Sequence, residues 1–443
     1  MFKIKRILQK ERRKAKGLNS LFAKSNKADQ IKMHVPFFLY FVGMFCLYKF
    51  TYFQLGIQVA VIIYFALLLI KRKLRLSSGQ LGQIWFYILW FGLFVGLMFL
   101  SRIWAYGRLE NDRTLLIALR TFAIGLLMFY YVDNKKRALG VLKALIYAFF
   151  VTAAIALITT PISGWGSEYL FGNAIAQHRN QLGAVAAPFA VFCFYLYHQY
   201  GFRYGNYLTI FFAIFTLITG SRSSILQIVM MLVIHMLVNE KRLSKRLKNL
   251  VVLIFVVVAA MILIYSIPFL YNTVWVRIGE AISTVLGTEM VDSSTVGREN
   301  LKEVATLMFL QKPIFGYGVD GVVCFIKDNP ILIGNDVAAV YSHCNYTEIG
   351  ACFGIVGLLI WYIPVIKTIV SSYKVRTESN WASCLFSGFL TMVIFDYSRI
   401  PWASHMSMYL FFVVILLIRY EVSEVKDKKN NERQETLQSS LEG

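Results

Sequence analysis

A histidine, His343, stands where a polar segment gives way to a long apolar one, in the run Tyr341-Ser342-His343-Cys344-Asn345-Tyr346-Thr347-Glu348. Imidazole titrates near neutrality, so it is suited to accept a proton from a reacting hydroxyl. The bland alternative is a helix-end histidine bonded to a carbonyl. Three arginines stand at comparable boundaries: Arg222 in Thr219-Gly220-Ser221-Arg222-Ser223, Arg179 in Gln177-His178-Arg179-Asn180, and Arg298 in Val296-Gly297-Arg298-Glu299. A cation in the first turn of a helix opposes the helix dipole, and an anion would resolve that conflict. Unpaired N–H groups at a helix start, together with a two-pronged guanidinium, form a phosphate site. The competing reading for each is an arginine snorkelling to a membrane interface.

Local pattern also predicts the elements that position these groups. Gly220 permits a tight reversal between two apolar runs and Ser221 is a natural N-cap, which places Arg222 in a first helical turn. Ser293–Glu299 reads as a helix start, with Leu301, Val304, Ala305 and Met308 coming next at amphipathic spacing. Lys312-Pro313 ends that helix and Gly316-Tyr317-Gly318 turns the chain. His343, Thr347, Gly350, Gly354 and Gly357 fall at helical intervals, which predicts one inward-facing stripe of small residues on one helix. His178 reads as a solvated loop residue. The loop Tyr106–Arg113, with Glu110 and Asp112, reads as a solvated charged loop.

With 57% hydrophobic and 16% charged residues among 443, the chain is too apolar for a soluble fold. Its apolar runs repeatedly approach the ~20 residues that cross a bilayer. Twelve spans are expected: Val35–Phe53, Gln54–Ile70, Gln80–Trp104, Thr114–Val132, Ala138–Thr160, Asn180–Tyr200, Tyr204–Gly220, Ser221–Asn239, Asn249–Leu270, His343–Val370, Asn380–Ile400 and Pro401–Tyr420. The fold class is therefore all-α and polytopic. Residues 1–34 form a basic cytoplasmic tail with an amphipathic pattern, 35–420 one transmembrane domain, and 421–443 a charged cytoplasmic tail. Within the domain, Tyr271–Ser342 is one large external loop.

The net charge of +22 is distributed by topology. About thirty Lys and Arg fall on the face of the N-terminus and about ten on the other, which is the positive-inside pattern. Both termini are thus expected in the cytoplasm, with the histidine and the three arginines on the outer face. Attraction to anionic lipid explains the basic excess, so nucleic acid is not needed as a partner. Six cysteines show no metal-binding spacing. Cys46, Cys193, Cys352 and Cys384 read as packing residues, and only Cys324 and Cys344 reach the outer side.

The Thr219–Ser223 turn, the Gly297-Arg298 helix, Gly316-Tyr317-Gly318 and His343 with Gly354 and Gly357 together resemble the bacterial O-antigen ligase/polymerase family. The motif of His, ten residues, Gly, two residues, Gly is matched in full. One departure is that Cys344 stands directly after the histidine where the family often has Asn, so Asn345 comes one position later. The resemblance implies a GT-C-like membrane glycosyltransferase without metal or other cofactor. Its donor would be a polyprenyl-diphosphate-linked oligosaccharide and its acceptor a glycan hydroxyl, at the outer face of the bacterial cytoplasmic membrane. His343 and Arg222 would then be catalytic, with Arg179, Arg298, Asn345 and Tyr317 on the substrate. A chain-length regulator and a flippase would be companion proteins.

Polymerisation of repeat units is the preferred activity, since the lysine-rich, alanine-poor composition hints at a low-GC bacterium. Ligation to lipid A core or protein is the alternative. A transporter or flippase is the reading from another class, disfavoured because no span carries an acid at its centre: Glu348 and Asp396 fall near outer helix ends.

Overall fold

In the computed structural model the described residues are 32–47, 51–71, 78–107, 112–167, 170–240, 243–268, 293–330 and 341–441, with 76, 271, 275, 276 and 279. They form helices, turns and loops with no strand among them. In order these are α1 (Val35–Cys46), α2 (Thr51–Lys71), α3 (Ser78–Tyr87), which runs through a π-helical turn into α4 (Leu93–Leu100), α5 (Arg113–Tyr131) and α6 (Lys135–Thr159). They continue with α7 (Arg179–Tyr200), α8 (Gly205–Ile218), α9 (Arg222–Asn239), α10 (Leu243–Ser266), α11 (Ser293–Gln311), α12 (Gly321–Asp328), α13 (Asn345–Val375), α14 (Asn380–Ile394) and α15 (His405–Leu441).

Among the described residues, seven helical stretches are long and apolar enough to cross a membrane, against the twelve expected. They are Gly79–Ile103, Arg113–Tyr131, Lys135–Thr159, Arg179–Tyr200, Arg222–Asn239, Asn345–Val375 and His405–Thr436. For three of the other five the cause is geometric, whereas α2 and α10, with 21 and 24 residues, have the length to cross. The apolar helices α1 and α8 have 12 and 14 residues, and at 1.5 Å per residue they fall short of a hydrocarbon core about 30 Å thick. The expected span Asn380–Ile400 is likewise a 15-residue helix, α14, that ends in the 3₁₀ turn Phe395–Tyr397. The amphipathic reading of the N-terminal tail, Glu110, and the parts of the large loop at 280–292 and 331–340 lie outside the described residues.

Caps define where the helices begin. Asn134 accepts the Arg137 N–H at 2.9 Å to start α6, and Ser379 accepts that of Ala382 at 3.0 Å to start α14. The core is aromatic: Trp90, Trp361, Phe411 and Phe412 are buried together, with Trp90 and Trp361 ring centres 5.7 Å apart. Helix α15 runs through this core, packing on α5, α6, α7, α13 and α14. Its first residues lie at the end of the bundle that carries Arg179 and Arg222. At the other end Lys135 meets Glu421 and Glu424. Helix α15 is continuous into the charged tail, as far as Leu441.

Candidate active site

Helix α11 packs on α13 as its periodicity predicts, burying Leu301, Val304, Ala305 and Met308. The segment 313–318, just past α11, docks on α13 through backbone hydrogen bonds. The N–H groups of Tyr317 and Gly318 donate to the carbonyls of Ala351 and Cys352 at 2.8 and 2.7 Å, and those of Ile355 and Val356 donate to Pro313 and Ile314 at 2.8 and 3.3 Å. Such pairing is open to α13 only because Gly354 breaks the helix there, with φ 64° and ψ −160°. A Cβ on Gly354 would lie 2.2 Å from the Ile314 carbonyl oxygen, and one on Gly316 would lie 2.5 Å from the Cys352 backbone.

This corrects the continuous stripe. Gly354 is a docking point for backbone, and His343 lies outside α13, one residue before its N-cap Cys344. His343 instead has φ 58°, a left-handed conformation that costs a non-glycine residue about 1–3 kcal/mol unless its surroundings impose it. The surroundings are dense. The Glu348 carboxylate accepts the Ser342 N–H at 2.7 Å, the Ser342 hydroxyl donates to the Cys344 carbonyl at 2.9 Å, and the Thr347 hydroxyl donates to that of Ser342 at 3.1 Å. Ser342, Cys344 and Glu348 are buried, while His343 between them keeps partial exposure. Its ring lies 4.5 Å from that of Tyr341. Burial raises the Tyr341 phenol above its ordinary range, and the nearby Arg298 guanidinium works against that rise. Arg298 is therefore within electrostatic reach of the tyrosine whose ring meets His343.

The other arginines meet at two adjoining helix starts. Arg222 opens α9 behind the N-cap Ser221, and Gly220 has φ 61°, as the sequence pattern requires. Ser221 caps by position alone: its hydroxyl accepts from that of Ser224 at 2.8 Å. A Cβ on Gly183 would lie 2.6 Å from the Ser224 hydroxyl, so the first turns of α7 and α9 touch. Arg179 opens α7, is buried, and donates to the Gly166 carbonyl. His178 is no solvated loop residue. Its Nδ1 accepts the Asn180 N–H at 3.2 Å, so it caps α7.

Two expected site residues turn inward. The Tyr317 hydroxyl donates to the Gln311 side chain at 2.6 Å, and Lys312 lies 4.4 Å above its ring. Asn345 is buried and donates to the Tyr362 hydroxyl at 2.9 Å and to Asp396 at 3.1 Å. The loop with Asp112 pairs with Arg102, which also lies 3.9 Å from Asp320. Burial raises the Asp320 carboxyl, while Thr114 and Arg102 pull it down. All six cysteines are free and buried. Among the described residues, no three His, Cys, Asp or Glu side chains gather as metal ligands do.

Sequence reasoning missed Arg399. It sits in the turn between α14 and α15 and donates to the Ala184 carbonyl at 3.4 Å and to Gln227 at 3.3 Å. A cation in a short connection between two apolar runs was the available signal.

Fold and site thus define a polytopic helical membrane protein whose cationic helix starts and partly exposed histidine share one end of the bundle. Residues 207–362 match the model of the O-antigen ligase family, a family of glycosyltransferase-like enzymes, so the resemblance read from Arg222, Arg298 and His343 holds over that segment. No curated protein matches the chain.

Proposed function

We propose that the chain is a glycan polymerase, which joins polyprenyl-diphosphate-linked oligosaccharides at the outer face of the bacterial cytoplasmic membrane. An acceptor hydroxyl attacks the anomeric carbon of the donor sugar while His343 takes its proton. The carbon–oxygen bond to the diphosphate breaks, and the lipid diphosphate departs with both electrons. Guanidinium groups and helix N–H donors meet the charge that develops on it, Arg222 first and Arg298 from the histidine side. Arg179, bound to the Gly166 carbonyl, shapes the site from the adjoining helix start. General base catalysis of this kind contributes about 10²–10⁴-fold.

The observation that carries the reading is His343 itself: held in a left-handed conformation by buried neighbours, partly exposed, and against Tyr341, which lies within electrostatic reach of Arg298. Transfer to a lipid A core or a protein is the second reading, favoured by the ligase description of the matching family. Sizing the surface glycan of a strain that carries His343→Ala tests both. Single repeat units on the acceptor indicate a polymerase, and intact polymer left on carrier lipid indicates a ligase. Wild-type glycan in that strain would remove the general-base role.

A further inference from the structure

The turn between α14 and α15 reaches both halves of the candidate site. On one side Arg399 Nη1 donates to the Ala184 carbonyl of α7 and to Gln227 of α9. Each acceptor lies five residues past the arginine that opens its helix (184 − 179 and 227 − 222). On the other side Asp396 accepts from Asn345 at 3.1 Å and from the Tyr362 hydroxyl at 3.0 Å. Asn345 is the first residue of α13, two past His343. Asp396 and Arg399 line one small cavity together with Ala184 and Ser407, and the two charges are within electrostatic reach of each other.

We propose that Asp396 and Arg399 are positioning residues for the transfer reaction, a buried polar bridge that sets the spacing between the helix starts of Arg179 and Arg222 and the loop of His343. Buried ionised groups persist only when hydrogen-bonded or paired, so this one is tied to each element it touches. The planar fork of arginine suits the task, since one guanidinium nitrogen serves acceptors on two helices at once. A general base and a phosphate ligand on separate helices need such a brace, because a shift of about 1 Å in a reacting group costs roughly 10²-fold in rate. The bridge gives Asn345 a structural partner in place of the substrate contact expected from sequence.

The inference rests on the polymerase reading for its kinetic arm and stands alone in its distance arm. The kinetic arm measures transfer by the full chain in lipid nanodiscs, with a polyprenyl-diphosphate oligosaccharide as donor. Arg399→Gln is expected to lower kcat by about 10²-fold while the donor KM stays unchanged. The double variant Asp396→Asn/Arg399→Gln is expected to do no worse, since it leaves no lone buried charge. For the distance arm, nitroxides at Leu226→Cys and Ile355→Cys report the spacing of α9 and α13. Both positions are exposed and the native cysteines are buried. The distance distribution should broaden in Arg399→Gln and stay broad in the double variant, which also lacks the arginine's links to α7 and α9. Should Arg399→Gln fail to accumulate, Arg399→Lys takes the same measurements. An unchanged distribution, or a raised donor KM at unchanged kcat, overturns the bridge. Absence of transfer by the wild-type chain overturns the polymerase reading instead, and the distances still decide the bridge.

Discussion

At the end of the bundle where α6 begins, Lys135 lies 2.6 Å from Glu421 and 2.7 Å from Glu424, and Lys429 lies 3.1 Å from Glu378. At the opposite end Arg298 and Arg399 form no salt bridge among the described residues, and Arg179 bonds a backbone carbonyl. Cations at the first end are neutralised by carboxylates on neighbouring helices, which ties the helix ends together and leaves little field for a ligand. Of the cations at the second end, Arg179 and Arg399 hold neutral acceptors, which fix their direction without cancelling their charge, while Arg102 and Lys302 pair with Asp112 and Glu299. A cation held by a neutral acceptor keeps a charge that complements an anionic ligand. On the proposed topology the first end is the inner one and serves the fold, and the second is the outer one and serves the reaction.

The contrast breaks at once if the two ends are assigned to the wrong sides of the membrane. Lys327 and Lys245 are both exposed, and the positive-inside topology puts them at opposite ends. In intact cells a membrane-impermeant maleimide should label Lys327→Cys and leave Lys245→Cys untouched. This is an all-or-none outcome, and the reverse pattern would put the candidate site in the cytoplasm, where an outer-leaflet donor could not reach it.

Within the outer end, Arg222→Lys sharpens the comparison. Lysine keeps the charge but loses the planar fork and its paired donors. If the guanidinium acts with the N–H groups of α9 on a leaving diphosphate, transfer should fall by about 10²–10³, as for the loss of one donor in an oxyanion site. An interface anchor would accept lysine with little change. Near wild-type transfer by Arg222→Lys would therefore move the phosphate role to Arg298.

Much of this is legible in the chain, and the rest is hidden for a common physical reason. Side-chain periodicity reveals the buried face of α11, and turn chemistry reveals Gly220 and Ser221. Both are local signals. The docking of 313–318 onto α13 is made by backbone groups, so it leaves only glycines to read, and Gly354 looks like a small residue on a continuous seam. The left-handed state of His343 depends on Glu348 and Thr347, whose sequence separation gives no hint that they close around Ser342. His178 reads as solvated because its cap on Asn180 uses the same ring nitrogen that free histidine shows to water. The partners of Arg399 are hidden in the sequence because they lie on α7 and α9, 215 and 172 residues away.

The smallest expected effect belongs to the inner end and tests the other half of the contrast. Lys429 and Glu378 keep 58% and 37% of their side-chain surface exposed, so solvent screens their 3.1 Å pair. Exposed pairs of this kind contribute about 0–1 kcal/mol, because the Coulomb gain is offset by the entropy of holding two long side chains. Glu378→Gln removes the charge with little change in shape. It should lower the melting temperature of the purified protein slightly, by an amount that shrinks further in high salt, and leave the transfer rate untouched. A pair that only joins α15 to the segment after α13 has no route to a reaction at the far end except through gross unfolding. A tenfold loss of transfer in Glu378→Gln with an unchanged melting temperature would mean that the inner end is coupled to the reaction. The division between a paired structural end and a braced functional one would then have to be abandoned.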